Sequence, residues 1–285
     1  MLRCEGDIMS NLEIHDIVNL DQYPIIDNQS AAYQALVENM AEQYARDSSC
    51  LLPNFILPKA VAAMASEASD VSVDSFRSDN LHNSYLEHDN ADFPKDHPRR
   101  RLERTALNVV GCDQLYPDGG LVTLYKWEPL RRFMSDILGY PSLYRLADPM
   151  GAITINVMNE GDNHGWHYDE SLFTISVMLQ ASEEGGEFEY VPGLRSPHHD
   201  DYETLGQVLD GTYDNSVKIP ITPGALLLFG GHYLLHRVTN VKGAKTRFIT
   251  TLCFKDKPGI TNSPKVREMF YGRQEPIYTH DFVDR

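Results

Sequence analysis

Cysteine is scarce in this sequence of 285 residues. The four cysteines, at positions 4, 50, 112 and 253, stand far apart and form no CxxC pair. Disulfide-rich scaffolds and structural zinc knuckles need closely spaced cysteines, so neither is expected. A reducing cytoplasm is the compartment that fits this cysteine usage best.

Lys and Arg are also few relative to Asp and Glu. The chain has 25 Lys and Arg against 41 Asp and Glu, which gives a formal net charge of -16 at pH 7. Such a surface repels phosphate backbones and anionic lipids. Nucleic acid and anionic membranes are therefore not expected among the partners.

Long apolar runs are absent as well. The stretch LLPNFILPKAVAAMA from Leu51 is broken by Pro and Lys and falls short of the ~20 residues that cross a bilayer. The N-terminus, MLRCEGDIMSNLEIHD, has acids where a signal peptide needs an apolar run of about seven residues or more. No fixed-period repeat or low-complexity tract suggests a solenoid or a coiled coil. The sequence predicts a soluble, cytoplasmic protein.

Residues 1–140 are predicted to form a mainly helical N-terminal region. Helical spacing of apolar residues predicts a helix over 31–47, a Pro followed by helix formers predicts another from Pro58, and PLRRFMSDILGY predicts a third from Pro129 to Gly139. Residues 71–101 are highly polar and contain two prolines near their end, which indicates a long surface loop or lid.

From Ala147 the pattern changes to short strands. The segments are rich in Val, Ile, Thr and Phe and are separated by turn residues; they read GAITINVMN, LFTISVMLQA, GEFEYVP, VKIPI, GALLLFGG and RFITTLCF. Several short strands in about a hundred residues predict a closed antiparallel sandwich or jelly roll. We assign this core to residues 141–257, with an acidic, partly helical insert at 192–217 and a C-terminal extension at 258–285.

The stretch NHGWHYDESLF suggests a metal site. His167 and Asp169 are two residues apart, and positions i and i+2 of a strand point to the same face. The best third ligand follows the buried-strand pattern GALLLFGG, at His236. Two imidazoles and a carboxylate on one face of an ion are typical of non-haem Fe(II) enzymes that activate oxygen, because three coordination positions stay open.

Arg247 makes the pattern more specific. It lies eleven residues after His236, in the predicted strand RFITTLCF, and an arginine inside a barrel needs an anionic partner that its planar guanidinium can bind bidentately. His232 competes with His236 as the distal ligand, but the spacing to Arg247 favours His236.

Taken together, HYD at 167–169, HRV at 236–238 and Arg247 resemble the motif of the non-haem Fe(II)/2-oxoglutarate-dependent oxygenase superfamily. The resemblance covers roughly residues 140–257 and implies a double-stranded β-helix. It also implies that the two histidines and Asp169 hold iron, that Arg247 binds the distal carboxylate of 2-oxoglutarate, and that O2 is the second cosubstrate.

Longer stretches are similar to the branch of free-amino-acid halogenases and lysine hydroxylases; they read ADPMGAITINVM, HGWHYDES, MLQASEEGGEFEYVP and LLFGGHYLLHRVTNV. Halogenases of this branch carry Gly or Ala in place of the iron-binding carboxylate, which leaves a position for chloride. Asp169 stands at that position here. The resemblance therefore implies hydroxylation of a C–H bond.

Two further residues near the motif are candidates for ligand contacts. His164 is either a rim histidine in a solvated turn or a substrate contact beside the iron. Asn156, on the strand GAITINVMN, either binds the C1 carboxylate of 2-oxoglutarate or pairs with backbone. The HHD at 198–200 lies in the polar insert after a Pro, where an exposed loop is expected, and we exclude it from the metal site.

Charge matching suggests three substrate contacts. The resemblance makes Glu170 a candidate partner for an ammonium group, with a surface acid as the alternative. Asp148, before Pro, is a second candidate, with a turn-forming role as the alternative. Arg104, in the basic cluster HPRRRLERT, is the candidate for a substrate carboxylate, with a solvated patch as the alternative.

The predicted substrate is a small polar molecule, foremost a free cationic amino acid. Three alternatives stay open: a hydroxylase of peptides or natural-product scaffolds, a non-catalytic sensor that only binds 2-oxoglutarate, and a cupin-type isomerase or lyase that needs no 2-oxoglutarate. A homodimer is compatible with the sequence.

Overall fold

The computed structural model describes residues 12–87, 89 and 91–282. The described helices are α1 (Ile14–Ile17), α2 (Ala31–Asp47), α3 (Pro58–Val71), α4 (Gly120–Lys126), α5 (Glu128–Leu138), α6 (Tyr202–Leu209) and α7 (Pro264–Tyr271). The described strands are β1 (Ser49–Leu52), β2 (Phe76–His82), β3 (Glu103–Gly111), β4 (Tyr144–Arg145), β5 (Ile153–Met158), β6 (His164–His167), β7 (Thr174–Gln180), β8 (Glu184–Gly185), β9 (Phe188–Val191), β10 (Arg195–Ser196), β11 (His199–Asp200), β12 (Val217–Ile219), β13 (Leu226–Phe229), β14 (Leu235–Val238), β15 (Val241–Lys242), β16 (Arg247–Leu252) and β17 (Phe254–Lys255).

Two facing antiparallel sheets form the centre of the fold. A seven-stranded sheet has the order β1-β13-β7-β16-β5-β3-β2, and a four-stranded sheet has the order β12-β9-β14-β6. Phe188 of the small sheet and Phe229 of the large sheet pack together between them, with ring centroids 4.9 Å apart. The predicted jelly roll, a double-stranded β-helix, is confirmed.

The large sheet separates a helical layer from the interior of the sandwich. In β16, Phe248 and Leu252 join the main apolar core, which also contains Met64 of α3 and Leu121 of α4. Successive residues of a strand point to opposite faces. The alternate residues of β16, which begin with Arg247, therefore face the small sheet.

The predicted helices are confirmed. Helix α2 spans Ala31–Asp47, and the hydroxyl of Ser30 caps its first turn by accepting a hydrogen bond from the Tyr33 amide. Helix α3 begins at Pro58, whose missing N–H would have no partner in a first turn. The helix predicted from Pro129 to Gly139 is α5, which begins one residue earlier, at Glu128, and ends before Gly139.

The mainly helical region predicted over residues 1–140 also contains three strands of the large sheet, β1, β2 and β3. Within the predicted loop of residues 71–101, residues 76–82 form β2. This strand is at the edge of the sheet and exposes five of its seven residues, so its sequence shows no apolar alternation. The division at residue 140 stays a prediction, and residues 1–11, which it includes, lie outside the described part of the chain.

The loop after β2 packs on the insert, and its role as a lid stays a prediction. The ring of His97 lies 4.6 Å from that of Tyr202 in α6, and Arg101 pairs with Asp210 at 2.6 Å. The insert in turn covers the outer face of the small sheet, where its Leu205 packs in one cluster with Trp166. In the described part of the chain, no helix is both long and apolar enough to cross a membrane.

A buried carboxyl in α3 makes stability depend on pH. Glu67 is only 2% exposed and accepts a hydrogen bond from the Tyr116 amide at 2.9 Å. Burial raises its pKa from 4.5 to about 7. Because folding raises this pKa, the folded protein favours the protonated carboxyl, and the resulting stabilisation is complete below pH 4.5. It is lost as the pH rises through about 7, where the buried carboxyl ionises.

We expect Glu67→Gln to remove this pH dependence, because the amide keeps the acceptor oxygen without the charge. The free energy of unfolding at pH 8 should rise by roughly 2–3 kcal/mol, as a shift of this size implies. Urea denaturation at pH 5 and pH 8 measures the change, with Glu38→Gln on the exposed face of α2 as control. Equal pH dependence in wild type and Glu67→Gln would contradict the assignment.

Candidate active site

The strands place His167, Asp169 and His236 at one point in the sandwich. Their ligand atoms all lie within 4.8 Å of one another. His167 and His236 are direct partners across β6 and β14, and Asp169 follows β6 by two residues. The Oδ1 atom of Asp169 lies 3.4 Å from Nε2 of His167 and 3.5 Å from Nε2 of His236. Three side chains that could hold one metal ion therefore converge.

Both imidazoles are oriented by the backbone. Nδ1 of His167 lies 2.7 Å from the Gly165 carbonyl, and Nδ1 of His236 lies 2.8 Å from the Leu234 carbonyl. A carbonyl oxygen only accepts, so each Nδ1 carries the proton and each Nε2 presents a lone pair to the centre. This is the tautomer that a metal ligand needs.

Burial and neighbouring charges set the protonation of the three groups. Burial, followed by the nearby imidazole of His236, lowers the pKa of His167 to about 4. Burial alone would raise the pKa of Asp169, but His236 and His167 outweigh it and hold that pKa well below its ordinary value. At neutral pH the cluster combines a neutral His167 with an ionised carboxylate, which suits a divalent cation.

A β-bulge adds His164 to the same face. His236 pairs with His167 and Val238 pairs with His164, so three steps along β6 oppose two along β14. The extra residue cancels the alternation that would have turned His164 away. Its ring stacks on that of His167, with centroids 3.7 Å apart and planes at 18°. His164 therefore lies beside the cluster, and burial lowers its pKa well below the ordinary value.

Arg247 lies inside the sandwich with unsatisfied hydrogen-bond donors. It is 1% exposed, and Nη1 donates a hydrogen bond to Met158 Sδ at 3.4 Å. Nε and Nη2 are buried and have no hydrogen-bond partner in the described residues. Burial lowers the pKa of Arg247 only to about 10, so the guanidinium stays charged at neutral pH. A buried, unpaired cation is costly, and an anionic ligand would satisfy it.

A cavity of about 360 Å³ opens beside this guanidinium. Phe188, which lines it, has its ring 5.5 Å from that of His236, so one wall of the cavity contacts the histidine cluster, although His167, Asp169 and His236 do not line the cavity themselves. A Cβ at Gly186 would lie 2.7 Å from Cδ of Arg247, so only glycine leaves room for the arginine here. Asn156 pairs with Ile249, two residues from Arg247, and so lies on the same inner face. The space fits a small dicarboxylate.

Two predicted substrate contacts are corrected. Asp148 is fully buried and accepts hydrogen bonds from the amides of Met150, Gly151 and Asn262 and from Nε of Arg267. With both carboxylate oxygens bound, Asp148 fastens the chain ahead of β5 to the C-terminal region and has no oxygen free for a ligand.

Arg104 is the second correction. Its exposed guanidinium binds the carboxylate of Asp79 bidentately, at 2.9 and 2.7 Å. The next residue in β3, Thr105, contacts His82 at 2.6 Å, and His82 faces the histidine cluster. By strand alternation Arg104 therefore points to the opposite side of the sheet.

The remaining candidates have clear positions. Glu170 is exposed and lies beside a small cavity of about 150 Å³ that Lys255 also lines. His232 contacts the backbone carbonyl of Asp169 through Nδ1, at 3.1 Å, so it supports the loop instead of joining the cluster.

Three residues near the cluster were not found from the sequence. His82 lies edge-on to His164 and His167, with centroids 6.4 and 6.2 Å away. Thr174 donates a hydrogen bond to Asp169, and Gly231 packs against that carboxylate. None belongs to a recognisable spacing, and only the pairing of strands brings them near the metal candidates.

A family comparison agrees with this geometry. The model of the family described as halogenase D matches residues 32–269. The chain belongs to the halogenase D family. This membership confirms the resemblance to the non-haem Fe(II)/2-oxoglutarate-dependent oxygenase superfamily, and to its halogenase branch, that the motif indicated. A comparison with curated proteins finds no match.

Solved structures with the same fold include three proteins that resemble this halogenase D family member. The carbocyclase SnoK from nogalamycin biosynthesis is 14% identical, with 78% of this chain and 85% of that chain covered and a TM-score of 0.55. The epimerase SnoN, in complex with Fe3+, alpha ketoglutarate and nogalamycin RO, is 17% identical, with 78% and 84% covered and a TM-score of 0.55. AviO1 from Streptomyces viridochromogenes is 14% identical, with 80% and 97% covered and a TM-score of 0.54. These likenesses show the fold.

Proposed function

We propose that this protein uses Fe(II), 2-oxoglutarate and O2 to hydroxylate an unactivated C–H bond of a small polar substrate, foremost a free cationic amino acid. One observation carries the proposal: an oriented His–Asp–His cluster and a buried, unpaired guanidinium face the same interior of the sandwich. A carboxylate-containing cosubstrate that also binds the metal would use both.

The residues of the site have separate roles in this proposal. His167, Asp169 and His236 hold Fe(II), which supplies oxygen activation when bound. Arg247 receives the distal carboxylate of 2-oxoglutarate, and its burial excludes water from that ion pair. Asn156, which lies on the same inner face, is our candidate for binding the C1 carboxylate.

Two residues support the substrate assignment. His164, stacked beside His167, offers a ring nitrogen close to the metal position. Glu170, the residue after Asp169, is the acid that favours an ammonium group, since Asp148 is fully bound within the protein. An acidic exterior with a formal net charge of -16 favours the approach of cationic molecules in general.

Halogenation is the second candidate, because the chain belongs to a family described by that activity. Asp169 opposes it. Its Oδ1 faces both Nε2 atoms, so the carboxylate fills the position that a halide would need. We therefore propose hydroxylation as the outcome.

Anaerobic reconstitution with Fe(II) and 2-oxoglutarate, followed by O2, chloride and a panel of free amino acids, tests the proposal. Succinate and product mass are measured together. We expect succinate coupled to the gain of one oxygen atom on a lysine-, arginine- or ornithine-like substrate. A chlorinated product would replace hydroxylation by halogenation.

Three other outcomes separate the remaining alternatives. Uncoupled succinate with every amino acid would keep the cofactors, overturn the free-amino-acid substrate and favour peptides or larger scaffolds. Binding of 2-oxoglutarate without succinate in any reaction would favour a sensor. Product formation without 2-oxoglutarate would favour an isomerase or lyase and leave Arg247 without its proposed role.

A further inference from the structure

The two oxygens of the Asp169 carboxylate have different surroundings. Oδ1 faces the metal position, 3.4 and 3.5 Å from the two Nε2 atoms. Oδ2 lies 2.5 Å from Oγ1 of Thr174. An ionised carboxylate can only accept, so the threonine hydroxyl donates. One oxygen is thus presented to the centre, and the other is bound within the protein.

Thr174 is held firmly in this position. It is the first residue of β7, where it pairs with Phe229 of β13, and a β-branched side chain has few rotamers on a strand. The loop of residues 169–173 returns the chain from the carboxylate to this strand. The donor therefore belongs to the rigid sheet, whereas Asp169 itself lies just beyond the end of β6.

Gly231 closes the other side of the carboxylate. Its carbonyl accepts a hydrogen bond from the Asp169 amide at 2.9 Å. A Cβ at position 231 would lie 2.1 Å from Oδ2, so a side chain there would displace the carboxylate. Thr174 and the bare backbone of Gly231 enclose the same oxygen from two directions.

We propose that Thr174 is a positioning residue that keeps Asp169 a one-oxygen metal ligand. The inference rests on the proposed function, since it assigns a role at the same metal site. Carboxylates bind metals through one or both oxygens. With Oδ2 bound to Thr174, Asp169 occupies a single coordination position, and the positions needed by 2-oxoglutarate and O2 stay open.

Metal binding by the apoprotein tests this role without any turnover. Thr174→Val removes the hydroxyl at nearly constant shape, and Thr174→Ser keeps it. Co(II) is titrated anaerobically into each protein, and the dissociation constant and visible absorption spectrum are recorded. We expect Thr174→Val to weaken Co(II) binding by roughly 10- to 100-fold, as for other outer-shell partners, and to change the spectrum. Thr174→Ser should restore both.

Two controls make each outcome decisive. Thr174→Ala, which cannot overpack, replaces the valine variant if circular dichroism shows that the latter is unfolded. His236→Ala tests the site itself. A folded variant without the Thr174 hydroxyl could bind Co(II) with wild-type affinity and spectrum while His236→Ala loses binding. That result would overturn the role of Thr174 and leave the metal site intact. Unchanged binding in His236→Ala would overturn the metal site, and with it the proposed function.

Discussion

Replacing Asp169 with glycine is expected to reduce hydroxylation by more than roughly 100-fold. Removing a residue that only hydrogen-bonds to a metal ligand reduces activity by about 10- to 100-fold, and Asp169 is itself a proposed ligand. The substitution removes the only carboxylate among the three converging groups. It also leaves the hydroxyl of Thr174 without its acceptor. The two remaining groups are imidazoles, which carry no negative charge, so the site loses its negative charge as well as a ligand.

The rate of hydroxylated product and the dissociation constant for Fe(II) or Co(II) measure this effect. Asp214→Gly, in the exposed loop after α6, is the matched control, and it should behave as wild type. Hydroxylation at the wild-type rate in Asp169→Gly would refute the triad. Adding chloride to the variant also tests the halogenase alternative, because the coordination position proposed for the Asp169 carboxylate is then vacant.

The second large effect is expected at Arg247. In Arg247→Met the KM for 2-oxoglutarate should rise by roughly 30- to 100-fold, because charge-assisted hydrogen bonds contribute about 1.5–3 kcal/mol each. The KM for the substrate should change little. Methionine keeps most of the side-chain volume, so the cavity beside Phe188 keeps its shape.

The same substitution should act on stability in the opposite direction. Nε and Nη2 of Arg247 are buried without partners in the described residues, so removing the charge should stabilise the protein without ligand. Thermal melting of the Co(II) form with and without 2-oxoglutarate measures both effects. We expect the ligand to raise the Tm of wild type and not that of Arg247→Met. A larger change in the substrate KM than in the 2-oxoglutarate KM would remove Arg247 from the cosubstrate site.

The sequence was most informative where a local rule decides the geometry. His167 and Asp169 share a face because they are two residues apart, and the apolar strand patterns predicted most strands of the core. Helices α2 and α3 followed from apolar spacing and a leading proline. These features depend only on residues close to one another in the chain.

What the sequence could not predict depends on pairing between distant segments. The edge strand β2 shows no apolar alternation because it exposes both faces in part. Asp148 finds Arg267 only when the C-terminal region folds back, a separation of 119 residues. Thr174 and Gly231 reach the same carboxylate oxygen through the packing of β7 and the loop before β14. No spacing rule connects such positions.

Because of the bulge in β6, the number of residues between His164 and His167 matters to this site as much as their identity. Deleting either Gly165 or Trp166 would restore regular pairing with β14 and rotate His164 to the far side of the sheet, while His167 and Asp169 kept their spacing. Two relatives could therefore carry an identical iron motif and differ by one gap, with an imidazole lining the reaction chamber in one and facing the insert in the other. When such sequences are compared, the length of the segment between His164 and His167 should be read as a functional character.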